Sequence, residues 1–117
     1  MTDVARIAAL EDLVTLRVPP VEAQQRLRDF GWDCADELVT LTRGNLLHVV
    51  DEYLLGNLTG DDVAQWANAV EGRDDIGFEE DFEAVIKDMV FHLATPEITA
   101  PLTPDGALAW KRRLDQS

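Results

Sequence analysis

Residues 42–70 read TRGNLLHVVDEYLLGNLTGDDVAQWANAV and predict two helices joined by a tight turn. Apolar residues recur at helical spacing on both sides of the turn: Leu46, Val50, Tyr53 and Leu54 before it, and Val63, Trp66, Ala67 and Val70 after it. Gly56 predicts the end of the first helix, since glycine accepts the left-handed conformation found at many helix ends. Thr59 predicts the start of the second helix. Its hydroxyl can accept from the Asp62 N–H, while the Asp62 carboxylate can accept from the Thr59 N–H in a shortened capping box.

The rest of the chain adds further helices on both sides of this hairpin. Apolar spacing and helix-start signals predict helices over residues 3–14, from Pro20 to about Phe30, from Phe78 to about Ala94, and from Thr103-Pro104 to about Leu114. Residues 37–41 are compatible with an extended segment or with a weak helical turn. We therefore expect an all-α fold, a compact bundle of five or six helices around a central helical hairpin, in one domain spanning residues 1–117.

Composition favours a globular protein of the cytoplasm. Hydrophobic residues make up 46% of the 117 residues, and no apolar run approaches the roughly 20 residues that a membrane helix needs. The N-terminal MTDVARIAALED lacks the pattern of a signal peptide. The single cysteine, Cys34, excludes an intramolecular disulfide and fits a reducing compartment. These features predict a cytoplasmic protein of bacterial type with no membrane association.

Charge is the strongest global signal in the sequence. The formal net charge is -13, and residues 51–88 hold twelve acidic residues against only Arg73 and Lys87, a net of -10 for that segment. A negative potential repels nucleic-acid phosphate and anionic membranes and attracts basic proteins. We therefore expect no nucleic-acid partner. The charge also has a simpler interpretation, which is that it keeps the protein soluble.

No catalytic or metal-binding motif is evident, and we predict no cofactor. The acids near residue 77 do not match a calcium loop, since Gly77 is misplaced for that pattern. His48 precedes Glu52 by four residues and His92 follows Asp88 by four, without completing a known zinc or di-iron motif. Acidic neighbours of Cys34 would raise the pKa of its thiol and disfavour a nucleophilic thiolate.

Residues 53–59, YLLGNLT, followed seven residues later by Trp66, resemble a pattern of small bacterial helical proteins. These include uncharacterised families and the colicin-D-type toxin-immunity proteins, and the likeness covers about residues 45–70. The resemblance implies a stoichiometric inhibitor that covers the basic active site of a nuclease toxin with an acidic face.

We accordingly predict a non-enzymatic, acidic protein-interaction module, immunity-like or antitoxin-like, that binds a basic protein. The predicted partner-binding residues are Asp74, Asp75, Glu79, Glu80, Glu83 and Trp32. Two alternatives remain open at this point. One is a small hydrolase or metal-dependent enzyme that uses His48 or His92 with nearby carboxylates. The other is a homodimer subunit without a catalytic role.

Overall fold

In the computed structural model, which describes residues 3–30 and 36–116, the chain is mostly helical and compact, as predicted. Its elements in order are α1 (Asp3–Val14), α2 (Pro20–Leu27), β1 (Val39–Leu41), α3 (Arg43–Leu54), α4 (Gly60–Val70), β2 (Ile76–Phe78), α5 (Glu83–Ala94) and α6 (Pro104–Gln116). Within the described ranges, none of the helices has the length and apolar character needed to cross a lipid bilayer.

The predicted start of the second hairpin helix at Thr59 is confirmed, and both helices of the hairpin begin with a reciprocal capping box. Thr59 accepts from the Asp62 N–H at 3.1 Å, and the Asp62 carboxylate accepts from the Thr59 N–H at 2.9 Å. Thr42 and Asn45 make the same pair of hydrogen bonds at the start of α3, at 3.1 and 2.9 Å. Each box satisfies two backbone N–H groups, one on the cap residue and one in the first helical turn, and so fixes where its helix begins.

The end of α3 also follows the local signal in the sequence. Gly56 has φ +86°, in the left-handed region that glycine accepts without a side-chain clash. The Gly56 N–H donates to Tyr53 O at 3.1 Å, and the Asn57 N–H donates to Glu52 O at 2.9 Å. This pair of hydrogen bonds is a Schellman motif, which satisfies the last carbonyls of the helix and turns the chain toward α4.

Helix α4 lies at the centre of the bundle, in contact with α5, α2, α1 and α3, while α3 packs on α6. Trp66 is its largest buried side chain and has no exposed surface, which confirms its predicted place in the core. The Trp66 Nε1–H donates to Leu13 O at 2.7 Å, so the indole ties α4 to the last turn of α1. The core therefore buries an apolar ring without leaving its N–H unsatisfied.

Residues 39–41 are extended and pair in parallel with residues 76–78, which resolves the two alternatives left open for this segment. Val39 lies opposite Ile76 and Leu41 opposite Phe78, and the Glu79 N–H donates to Leu41 O at 2.9 Å. A parallel pair needs a long crossover connection. Here the whole α3–α4 hairpin forms that connection.

The structure corrects the predicted start of α5. We expected a helix from Phe78, but Phe78 belongs to β2 and α5 begins at Glu83. Asp81 has φ +73°, which an α-helix does not tolerate. Pairing with β1 therefore overrides the apolar spacing that links Phe78 to Phe82. A smaller difference is that α2 ends at Leu27 rather than near Phe30.

Candidate interaction surface

Asp75, one of the predicted partner-binding residues, lies in the interior with no exposed surface. Its carboxylate accepts from Arg73 Nε at 2.9 Å and Arg73 Nη2 at 3.0 Å, and from Arg6 Nε of α1 at 2.8 Å. Its main-chain oxygen accepts from the Leu38 N–H at 2.8 Å. Asp75 therefore joins α1, β1 and the segment before β2. It cannot contact a partner, and the prediction for this residue is wrong.

The environment of Asp75 holds it in the charged state. Burial alone would raise the pKa of this carboxyl, but the hydrogen bonds from Arg73 and Arg6, with the two guanidinium charges, outweigh that effect. The pKa of Asp75 is consequently below its ordinary value. A buried carboxylate with two arginine partners is a structural centre, because its charge and hydrogen-bond capacity are already satisfied.

The other predicted acids occupy different environments around β2. Asp74 and Glu80 are exposed, one on each side of the strand in sequence. Glu79 is half-buried, and its carboxylate accepts from the Arg43 N–H at 2.9 Å, so it caps the first turn of α3. Glu83 is exposed on α5 and pairs with Lys87 at 3.2 Å. Trp32 lies outside the described residues.

Glu37 belongs to the same region, although the sequence did not single it out. Its side chain lies over Gly77 so closely that a β-carbon at Gly77 would collide with the Glu37 carboxylate. Thr40 of β1, which is exposed, lies opposite Gly77 in the sheet. The pairing of two strands that are far apart in sequence brings Glu37 to this region, and no local sequence pattern identifies it. Exposed carboxylates thus surround the strand pair, and we call Glu37, Asp74, Glu80, Asp81 and Glu83 the acidic surface.

Away from the acidic surface, ion pairs within the fold neutralise part of the negative charge. Asp51 of α3 pairs with Lys111 of α6 at 2.8 Å, and Asp88 of α5 pairs with Arg113 at 2.6 Å. These contacts fasten α6 to its neighbours with the basic residues at its C-terminal end, where they also favour the helix dipole. They leave the acid-rich segment around β2 as a prominent negative region.

The two histidines lie in separate places. His48 is exposed and lines an open depression of about 370 Å³ together with Arg17 and Glu52. His92 is half-buried and lines a different cavity, of about 390 Å³, together with Trp110. Residues 3–30 and 36–116 contain no group of three or more His, Cys, Asp or Glu side chains placed to hold a metal ion. Cys34 lies outside these ranges.

Searches against known protein families, curated proteins and solved structures find no match for this chain. The resemblance of residues 45–70 to colicin-D-type immunity proteins therefore stays a prediction. Among the described residues, two surfaces have distinct chemistry: the acidic surface around the strands and the cavity beside His92.

Proposed function

We propose that this protein is an acidic interaction module that binds a basic protein partner through the acidic surface, as an immunity protein or antitoxin would. The observation that carries the proposal is the exposure of Glu37, Asp74, Glu80, Asp81 and Glu83 around one strand pair. Like charges repel one another on a folded surface, and a cationic partner removes that repulsion. Clustered carboxylates also raise the rate of encounter with a positively charged protein.

The arrangement of the region supports a rigid binding surface. The Asp75 carboxylate ties the segment before β2 to Arg6 of α1, and the Glu79 carboxylate ties the segment after β2 to the first residue of α3. A surface held in this way loses little conformational freedom when a partner binds, so more of the electrostatic attraction is retained as affinity.

The test is capture of a partner on the immobilised protein from lysate of its native cells at low salt, followed by measurement of the association rate for the purified complex. We expect a basic protein that high salt releases. The variant E37Q/D74N/E80Q/D81N should associate about tenfold or more slowly at low salt. This difference should shrink as salt screens the charges.

A matched control removes the same number of charges from other elements. Glu22 of α2, Glu97 of the α5–α6 connector, and Asp105 and Asp115 of α6 are all exposed. The variant E22Q/E97Q/D105N/D115N has the same net charge as the first variant and should associate nearly as fast as the unaltered protein. Equal slowing by both variants would mean that only net charge matters, and binding that does not respond to salt would contradict the proposal.

A further inference from the structure

The cavity beside His92 differs in chemistry from the rest of the molecule. Its volume is about 390 Å³, and its walls include Gly60 and Val63 of α4, His92 of α5, Thr99 of the connector, and Gly106 and Trp110 of α6. None of the described residues that line it is Asp, Glu, Lys or Arg, although such residues make up 28% of the chain. The volume is in the range of small-molecule pockets. A charged ligand would meet no counter-charge here, so the walls favour an uncharged one.

The aromatic walls of the cavity favour a flat ring. The two aromatic residues that line the cavity are His92 and Trp110, and the His92 ring stands edge-on to Trp110 with 5.3 Å between centroids. Aromatic rings prefer such edge-to-face and offset arrangements, and a planar ligand can add to them. A cavity of 150 Å³ holds one benzene ring, so the larger space here suits a fused bicyclic molecule.

The His92 imidazole supplies the polar contact. Its Nδ1 lies 2.8 Å from Asp88 O, and because a carbonyl oxygen can only accept, Nδ1 carries the proton. In the neutral ring Nε2 is then an acceptor. No described residue hydrogen bonds to Nε2. The His92 side chain is 41% exposed, so a ligand in the cavity with one N–H or O–H donor can hydrogen bond to this nitrogen in place of water.

We propose that this cavity is a binding site for a small, uncharged aromatic molecule that donates one hydrogen bond to His92 Nε2. The site is independent of the proposed function, because none of its lining residues belongs to the acidic surface. Variants of the acidic surface therefore leave it unchanged, and either proposal can fail without the other.

The experiment is an NMR titration of the isotope-labelled protein with two probes of the same shape. Indole carries an N–H donor, and benzofuran has oxygen in its place. We expect indole to bind roughly three- to tenfold more tightly than benzofuran, the usual contribution of one hydrogen bond. The shifts should cluster on residues 60–63, 92–106 and Trp110.

Two variants test the cavity and the nitrogen separately. His92→Phe keeps an aromatic wall and removes the acceptor, so it should bind benzofuran as before and lose the preference for indole. Gly60→Leu should weaken both probes, since a β-carbon at Gly60 meets no atom nearer than Leu102 O at 4.0 Å and leaves room for a side chain that fills the cavity. His48→Phe, at the other depression, is the matched control and should change neither affinity.

Several results would overturn the proposal. These are equal affinity for the two probes, a preference for indole that survives His92→Phe, shifts that map to the depression at His48, or no binding of either probe up to its solubility. Retained benzofuran binding in His92→Phe shows that the variant is folded, so loss of the indole preference cannot be assigned to unfolding.

Discussion

Replacing Asp75 by asparagine is expected to destabilise the fold strongly, although the two side chains have nearly the same shape. The asparagine oxygen can accept from one arginine, but its NH₂ group would face the donors of the other. The side chains of Arg73 and Arg6 are 3% and 12% exposed. Two largely buried guanidinium groups would therefore lose the Asp75 carboxylate, and removing one partner of a buried ion pair is costly.

The expected loss is about 3 kcal/mol, at the lower end of the usual range because Arg6 can regain some water. That is a large part of the roughly 5–15 kcal/mol that stabilises a domain of this size. It corresponds to a fall of about 1–3 M in the urea midpoint and of roughly 10 °C in Tm. Urea unfolding followed by tryptophan fluorescence and circular dichroism measures it, with an unchanged m-value.

Asp74→Asn is the matched control, because it removes the same charge from an exposed neighbour and should cost less than about 0.5 kcal/mol. If Asp75→Asn cost less than about 1 kcal/mol, or no more than Asp74→Asn, the reasoning about the buried centre would be refuted.

The same centre has a defined pH dependence. The pKa of Asp75 is lower in the folded than in the unfolded protein, so the unfolded state binds the proton more readily. The stabilisation is therefore complete above the unfolded value of about 3.9 and is lost as the pH falls toward the folded value. The stability difference between the unaltered protein and Asp75→Asn should be constant near neutral pH and shrink below about pH 4.

Two further substitutions test the core and the hairpin turn. Trp66→Phe removes the 2.7 Å hydrogen bond to Leu13 O and leaves a small void. The free energy of unfolding should fall by roughly 2 kcal/mol in urea titrations, and a loss below about 0.5 kcal/mol would mean that this bond and ring contribute little. Gly56→Ala places a β-carbon at φ +86° and should cost about 1–2 kcal/mol by thermal unfolding, whereas a neutral result would show that the turn relaxes.

The sequence predicted the parts of the fold that depend on neighbouring residues. Thr59 with Asp62 specifies a helix start within four residues, and Gly56 specifies a helix end within a similar span. The apolar spacing around Trp66 identifies the buried face of α4 because a helix repeats its faces every three to four residues. Each of these signals lies within one or two helical turns, so no knowledge of the tertiary structure was needed.

The features that were missed depend on residues far apart in sequence. Ile76-Gly77-Phe78 is too short to show an alternating pattern, and its partner strand lies on the other side of two helices. The sequence alone does not distinguish Asp75 from the exposed Asp74. The structural difference is that Asp75 contacts Arg6, which lies on the first helix of the chain. Glu37 joined the acidic surface for the same reason. Local pattern carries no information about such partners.

The parallel pairing of β1 with β2 closes a loop through residues 42–75 and so couples two parts of the molecule thermodynamically. Closing a flexible loop of this length costs about 3 kcal/mol of chain entropy, which is large beside about 0.5–1.5 kcal/mol for each hydrogen bond of the strands. Folded helices α3 and α4 remove most of that cost, because the packing of α3 on α6 and of α4 on α5 already holds the loop in place. We therefore expect the strand pair to persist only while these helices are packed, and the amides of strands and helices to open to hydrogen exchange as one cooperative unit.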